Sequence, residues 1–96
     1  VLLNKVYYVG EARILAFYPL RNRGKITPDS ATIQITDSEG TDVVPVTAAG
    51  ITGQKVYYPV NESNVTAEAG QYTAYWVVNY GDEVIKTKHR ITVEEF

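Results

Sequence analysis

Cysteine is absent from the chain. Disulfides and thiolate metal sites are thereby excluded, and the fold must stand on packing and hydrogen bonds alone. Methionine is absent too, and there is one tryptophan, Trp76, and one histidine, His89. A single imidazole rules out a His-x-x-x-His metal pair. No Ser-His-Asp arrangement can be assembled around it from the sequence. Basic excess is also lacking: nine Lys and Arg stand against eleven Asp and Glu, for a net charge of −2. Nucleic acid, which is held by neutralising phosphates, is therefore not an expected partner. No apolar run approaches the roughly 20 residues of a membrane-spanning helix, so a membrane is not expected either. The apolar start Val1-Leu2-Leu3 gives way at Asn4-Lys5, far short of the apolar core of a signal peptide. Helical periodicity is missing as well, since no segment repeats apolar residues at i, i+3, i+4 and i+7 over three turns.

What remains is β-patterned. The 96 residues are 45% hydrophobic and 11% aromatic, which is enough for one real core and predicts a single domain over 1–96. Eight of the aromatics are tyrosine, a strand former with an apolar ring and one polar tip. Seven period-two runs are separated by Gly, Pro, Asp and Asn. They cover 3–9, 11–20, 31–36, 42–47, 54–60, 70–80 and 83–93. Ala31, Ile33 and Ile35 alternate with Thr32, Gln34 and Thr36 as in a half-buried strand. The longest run puts Tyr72, Ala74, Trp76, Val78 and Tyr80 on one face. The last run sorts Ile85, Thr87, His89, Ile91 and Val93 from Lys86, Lys88 and Arg90. Neither face of 11–20 is polar, so both are expected to be covered. Pro45 and Pro59 cannot donate to a ladder and mark edge positions or strand ends. Residues 48–53 read as a loop, and 61–69 as a polar connection with one helical turn. Short connections throughout predict antiparallel pairing. The expected fold is all-β: a seven-stranded antiparallel sandwich of immunoglobulin-like type with no significant helix. A small barrel is the alternative. The expected core includes Ile33, Ile35, Tyr72, Ala74, Trp76 and Val78.

The segment Glu68-Ala69-Gly70-Gln71-Tyr72-Thr73-Ala74 resembles the corner between the fifth and sixth strands of immunoglobulin-like domains, whose pattern is Asp-x-Gly-x-Tyr-x-Cys. Glu68 stands for the Asp and Ala74 for the Cys. The resemblance implies that the Tyr72 hydroxyl bonds back to upstream backbone. The antibody core tryptophan has no counterpart on the third strand. A wider likeness is to small β-sandwich domains of tailed bacteriophages, including the N-terminal domain of baseplate upper proteins and the immunoglobulin-like proteins of heads, necks and tails. It rests on the order and spacing of Gly10-Glu11, Ile35 to Gly40, Val56 to Val60, Thr66 to Trp76 and Gly81-Asp82. It implies a virion structural part, assembled in the host cytoplasm, that touches other virion proteins (capsid, neck or tail) and is a homo-oligomer or multi-copy component. It implies no cofactor and no enzymatic activity.

Candidate chemistry is sparse. His89 reads as a packed or hydrogen-bonded core-edge side chain before it reads as a base. Asp37, Glu39 and Asp42 surround a glycine turn. Their spacing does not fit a calcium loop, so a solvated turn is expected. Asn61-Glu62-Ser63 and Asn64-Val65-Thr66 match glycosylation acceptors, a pattern frequent by chance. Arg21, Arg23 and Lys25 form a basic turn, and Lys86, Lys88 and Arg90 a basic stripe. Both serve solubility and edge protection, or else dock an acidic neighbour. Tyr7-Tyr8 and Tyr57-Tyr58 are adjacent pairs, so at most one of each faces a given core. Tyr75 opposes Tyr72 and Trp76. Outward tyrosines suit protein interfaces, and Arg21, Arg23, Lys25, Tyr57 and Tyr75 are the expected partner-binding residues. The rival reading is an adhesion or carbohydrate-binding module of a bacterial surface or secreted protein. Tandem copies of the domain would favour it.

Overall fold

Period-two alternation decides the long strands. In a computed structural model, which describes residues 3–21 and 24–96, β9 (Gly70–Tyr80) and β10 (Glu83–Glu94) form the longest hairpin. The turn between them holds Gly81 at φ +58°, a left-handed conformation that costs glycine nothing. β9 buries Tyr72, Ala74, Trp76 and Val78, while Thr73, Tyr75 and Val77 face outward. β10 buries His89, Ile91 and Val93 and exposes Lys86, Lys88 and Arg90. β5 (Ser30–Asp37) pairs antiparallel with β9, setting Ile33 opposite Trp76 and Ile35 opposite Ala74. All six predicted core residues are buried.

The remaining strands complete two sheets. β1 (Leu3–Tyr8) and β6 (Asp42–Ala48) flank the three above, giving a five-stranded sheet in the order β1-β10-β9-β5-β6. β2 (Arg13–Phe17), β7 (Gly50–Thr52) and β8 (Lys55–Val60) form a second sheet in the order β2-β8-β7. A separate two-residue-strand hairpin, β3 (Leu20–Arg21) and β4 (Gly24–Lys25), sits in the connection from β2 to β5. The fold is all-β, with no helix among the described residues, and the two larger sheets form a sandwich-like arrangement. Leu15, Val56 and Val60 from the smaller sheet close over Trp76, Ile33, Ile35 and Ile91 of the larger one. Burying each such side chain contributes on the order of 1.5–3 kcal/mol.

Four sequence expectations are corrected. Pairing is not wholly antiparallel, because β1 runs parallel to β10, with Lys5 beside Ile91 and Tyr7 beside Val93. The first and last strands of a chain are not joined by a short turn, so the turn-length argument does not reach them. Strand 11–20 is broken after Phe17, where Pro19 withholds a donor and drives Tyr18 out of a regular ladder. Only one face of β2 is covered: Leu15 is buried, whereas Ile14 on the other face is 64% exposed. Residues 48–53 are not a loop but hold β7, where Gly50 lies opposite Tyr57. A Cβ on Gly50 would come within 2.3 Å of the Tyr57 ring, so this glycine marks close packing, not a turn. Both prolines fall as expected: Pro45 is on edge strand β6, and Pro59 lies beyond the residues of β8 that pair with β7.

The polar connection 61–69 makes turns without a helix. The N–H groups of Asn64, Val65 and Thr66 all donate to the Asn61 carbonyl. Asn61 Oδ1 accepts from the Ser63 N–H, and Asn64 Oδ1 from the Asn61 N–H. Both asparagines of the acceptor-like tripeptides thus shape this turn. Buried Thr66 donates its hydroxyl to the Glu11 carbonyl at 2.7 Å, tying this connection to the one between β1 and β2.

Candidate functional site

Three places bring polar chemistry together. The first is the corner before β9. Tyr72 is buried, and its hydroxyl donates to the Glu68 carbonyl at 2.8 Å. Burial raises its pKa above the usual tyrosine value, and the charges of Glu68 and then Asp37 add to that rise. The hydroxyl stays protonated and acts as a structural tether.

The second is the centre of the core. Trp76 Nε1–H donates to His89 Nδ1 at 3.1 Å, across adjacent strands. Phe17 packs edge-on against both rings, with centroids 5.0 Å from Trp76 and 5.1 Å from His89. Burial lowers the His89 pKa, and the charge of Lys5 lowers it further. With Nδ1 accepting, the neutral imidazole carries its proton on Nε2. The arrangement satisfies the one polar atom of a buried indole, and among the described residues no nucleophile or carboxylate bonds to the ring.

The third place is the surface. The basic hairpin lies at the end of the molecule that carries the β9–β10 turn. Arg21 makes an ion pair with Glu83 at 2.5 Å. Asp29 Oδ2 accepts from the Gly81 N–H at 2.7 Å, fastening the same end. The Lys25 ammonium lies 4.2 Å from the centroid of the Tyr18 ring. Arg23 falls outside the described residues. Tyr75 is 37% exposed on the outer face of the large sheet, with the Lys88 ammonium 5.6 Å from its ring. Lys86, Lys88 and Arg90 have no acidic partner within ion-pair distance among the described residues. Tyr57 lies on the outer face of the small sheet, half-buried over Gly50. The five residues expected to bind a partner therefore do not share one surface. Arg21 and Lys25 cluster at one end, and Tyr75 and Tyr57 stand on opposite faces. The Tyr7-Tyr8 pair of the first strand splits between faces, with Tyr7 buried and Tyr8 exposed.

Sequence reasoning missed an apolar groove. Phe17, Tyr18, Leu20, Lys25, Thr87 and His89 line an open hollow of about 530 Å³ between β2 and β10. It exists because Pro19 breaks the strand and the chain leaves the small sheet there. Among the described residues, the pairing of β1 with β10 runs from Leu3 beside His89 to Tyr8 beside Glu94. The dipeptide Tyr18-Pro19 was the available signal.

The acidic turn is accounted for by bonding. Asp37 Oδ1 accepts from the N–H groups of Glu39 and Thr41, and Asp42 accepts from Gln34. No group of three or more His, Asp or Glu side chains is placed to hold a metal among the described residues. Compared with known protein families and with curated proteins, the chain matches none.

Proposed function

We propose that this chain is an immunoglobulin-like structural part of a tailed-phage particle, present in many copies and acting through protein contacts without catalysis. Three features support the immunoglobulin-like reading. The order β10-β9-β5 parallels the G-F-C sheet of that plan, and β2-β8-β7 parallels B-E-D. The Tyr72 hydroxyl reaches the backbone four residues upstream, as a corner tyrosine does. β1 departs from the constant-type plan by joining the G-strand side.

The observation that carries the contact reading is the outer face of the large sheet. Three cations without an ion-pair partner among the described residues, Lys86, Lys88 and Arg90, run along β10 beside Tyr75 and Val77. Tyrosine and arginine are the residue types that dominate interface energetics, and unpaired cations set the charge of the partner they favour. An acidic neighbour in the particle fits that face. The phage assignment rests on the order and spacing of the sequence segments that resemble such domains.

Mass spectrometry of purified particles from the source is the test. The chain is expected among their proteins in many copies. Its absence from particles, with the chain instead exported in tandem arrays, would replace this reading with that of an adhesion module. A triple reversal, Lys86→Glu, Lys88→Glu and Arg90→Glu, is expected to leave the fold intact and lower incorporation severalfold.

A further inference from the structure

Acids and bases are segregated on this molecule. Six carboxylates gather at the end where β9 begins. Glu11 follows β1, Asp37 and Glu39 belong to the turn after β5, Asp42 opens β6, and Glu62 and Glu68 lie on the connection before β9. Hydrogen bonds tie these connections to one another. Thr66 donates its hydroxyl to the Glu11 carbonyl, and the Gly10 N–H donates to the Thr66 carbonyl. Tyr72, which pairs with Asp37 across the sheet, donates to the Glu68 carbonyl. Glu62 Oε2 comes within 3.9 Å of where a Cβ on Gly10 would stand. Arg13 pairs with Glu11, and no cation among the described residues pairs with Glu39, Glu62 or Glu68, all three exposed.

The outer face of the large sheet carries the opposite sign. Alternate residues of a strand share a face, so Lys86, Lys88 and Arg90 stand about 7 Å apart in a row roughly 13–14 Å long. Tyr75 and Val77 of β9 lie beside the row, opposite Lys88 and Lys86. Val84 extends it with an exposed apolar side chain. Of the acids that border this face, Asp42 is held by the Gln34 amide, and Glu94 sits four residues beyond Arg90 on the way to the acidic end. Both surfaces are built on the same hydrogen-bonded sheet, so the end of one copy can meet only the face of another.

We propose that the outer face of the large sheet docks the acidic end of a second copy of this chain, the carboxylates of Glu39, Glu62 and Glu68 meeting Lys86, Lys88 and Arg90. The inference rests on the reading of the chain as a multi-copy structural part, and it names the acidic neighbour of that face. Charge complementarity selects the occupant: three exposed cations without partners and three exposed acids without partners occur on different surfaces of one molecule. The acidic loops are already fixed by their own hydrogen bonds, which lowers the cost of ordering them on contact. The molecule is 23 by 21 Å across its long axis, so its end spans the row of cations. That end buries at most roughly 500 Å² on each partner, below the ~800 Å² of a standard interface, which makes each contact weak. The two surfaces differ, so the contact is heterologous and continues from copy to copy into a ring or filament, where repetition adds the strength a single contact lacks.

Sedimentation velocity of the purified chain over a wide concentration range tests this. Wild type is expected to associate progressively at low salt. The association should weaken at least tenfold between about 0.01 M and about 1 M salt, as the Debye length falls from about 30 Å to about 3 Å. Two triple variants accompany it: Lys86→Glu, Lys88→Glu, Arg90→Glu on the face, and Glu39→Lys, Glu62→Lys, Glu68→Lys at the end. All six side chains are exposed, and circular dichroism checks that strand content is unchanged. Each variant alone is expected to be monomeric. Mixed, they keep the acidic end of the first and the basic face of the second, and association should return. A wild type that stays monomeric at millimolar concentration overturns the proposal. So does association that salt leaves unchanged, a single variant that associates as wild type does, or a mixture that stays monomeric. A monomeric wild type that is nonetheless found in purified particles, with the face variant incorporated poorly, would assign the face to a different acidic virion protein. That result sinks the self-contact alone and leaves the particle reading standing.

Discussion

Acid should loosen this protein through one side chain. His89 is buried, and its Nδ1 accepts the only hydrogen bond of the Trp76 indole. Protonation would put a charge in the core beside Phe17 and turn that acceptor into a donor facing another donor. Burial therefore lowers the folded pKa, with the charge of Lys5 acting in the same direction. An unfolded histidine titrates near 6.5. Below that value the unfolded chain takes up a proton that the folded chain refuses, so stability falls as the pH drops. The loss continues until the pH passes the depressed folded value, where it levels off. One proton sets a limiting slope of about 1.4 kcal/mol per pH unit. That is a large share of the roughly 5–15 kcal/mol typical of a small domain. Urea unfolding followed by Trp76 fluorescence, at steps between about pH 5 and 7, reads the slope before most carboxylates titrate. His89→Asn supplies the control: its amide oxygen can still accept from the indole but does not titrate. The variant starts less stable, since it leaves a small void, and its stability should be nearly flat over the same range. Equal slopes in wild type and variant would refute the reasoning.

Other consequences follow from the packing. Tyr72→Phe deletes the bond to the Glu68 carbonyl and should cost about 1 kcal/mol in equilibrium unfolding, with no change in strand content by circular dichroism. Gly50→Ala should destabilise by roughly 1 kcal/mol, because the new methyl meets the Tyr57 ring. In a Tyr57→Ala background that cost should vanish, a coupling that a double-mutant cycle measures. Trp76→Ala should cost about 3–5 kcal/mol, read as a large fall in the midpoint of a thermal melt.

Much of this was legible in the residues. Alternation from Gly70 to Val93 is long and strict, so the β9–β10 hairpin and its buried face could be read directly. The Ala31, Ile33, Ile35 series made β5 as plain. The pattern from Glu68 to Ala74 implies that the Tyr72 hydroxyl bonds to upstream backbone, and the Glu68 carbonyl is the group it reaches. Legibility failed where a residue type carries two meanings. Gly50 lies in a stretch, 48–53, whose small residues read as a loop, yet it makes room for a cross-strand ring. Pro19 was absorbed into a strand, and the groove that depends on the break was lost with it. The parallel pairing of β1 with β10 joins the two ends of the chain, and no local pattern encodes so distant a contact. The same limit applies to surfaces. Alternation shows that Tyr57 and Tyr75 point outward, but only the assembled sheets put them on opposite sides of the molecule.

The account depends above all on two sheets shutting water away from the Trp76–His89 pair. Hydrogen exchange of the Trp76 indole proton, followed by nitrogen-15 NMR at neutral pH, measures that most directly. A proton that exchanges only with global unfolding, as slowly as the amides of Ala74 and Ile91, is the predicted result. An indole proton that exchanges within the dead time while the sheet amides stay protected would contradict it.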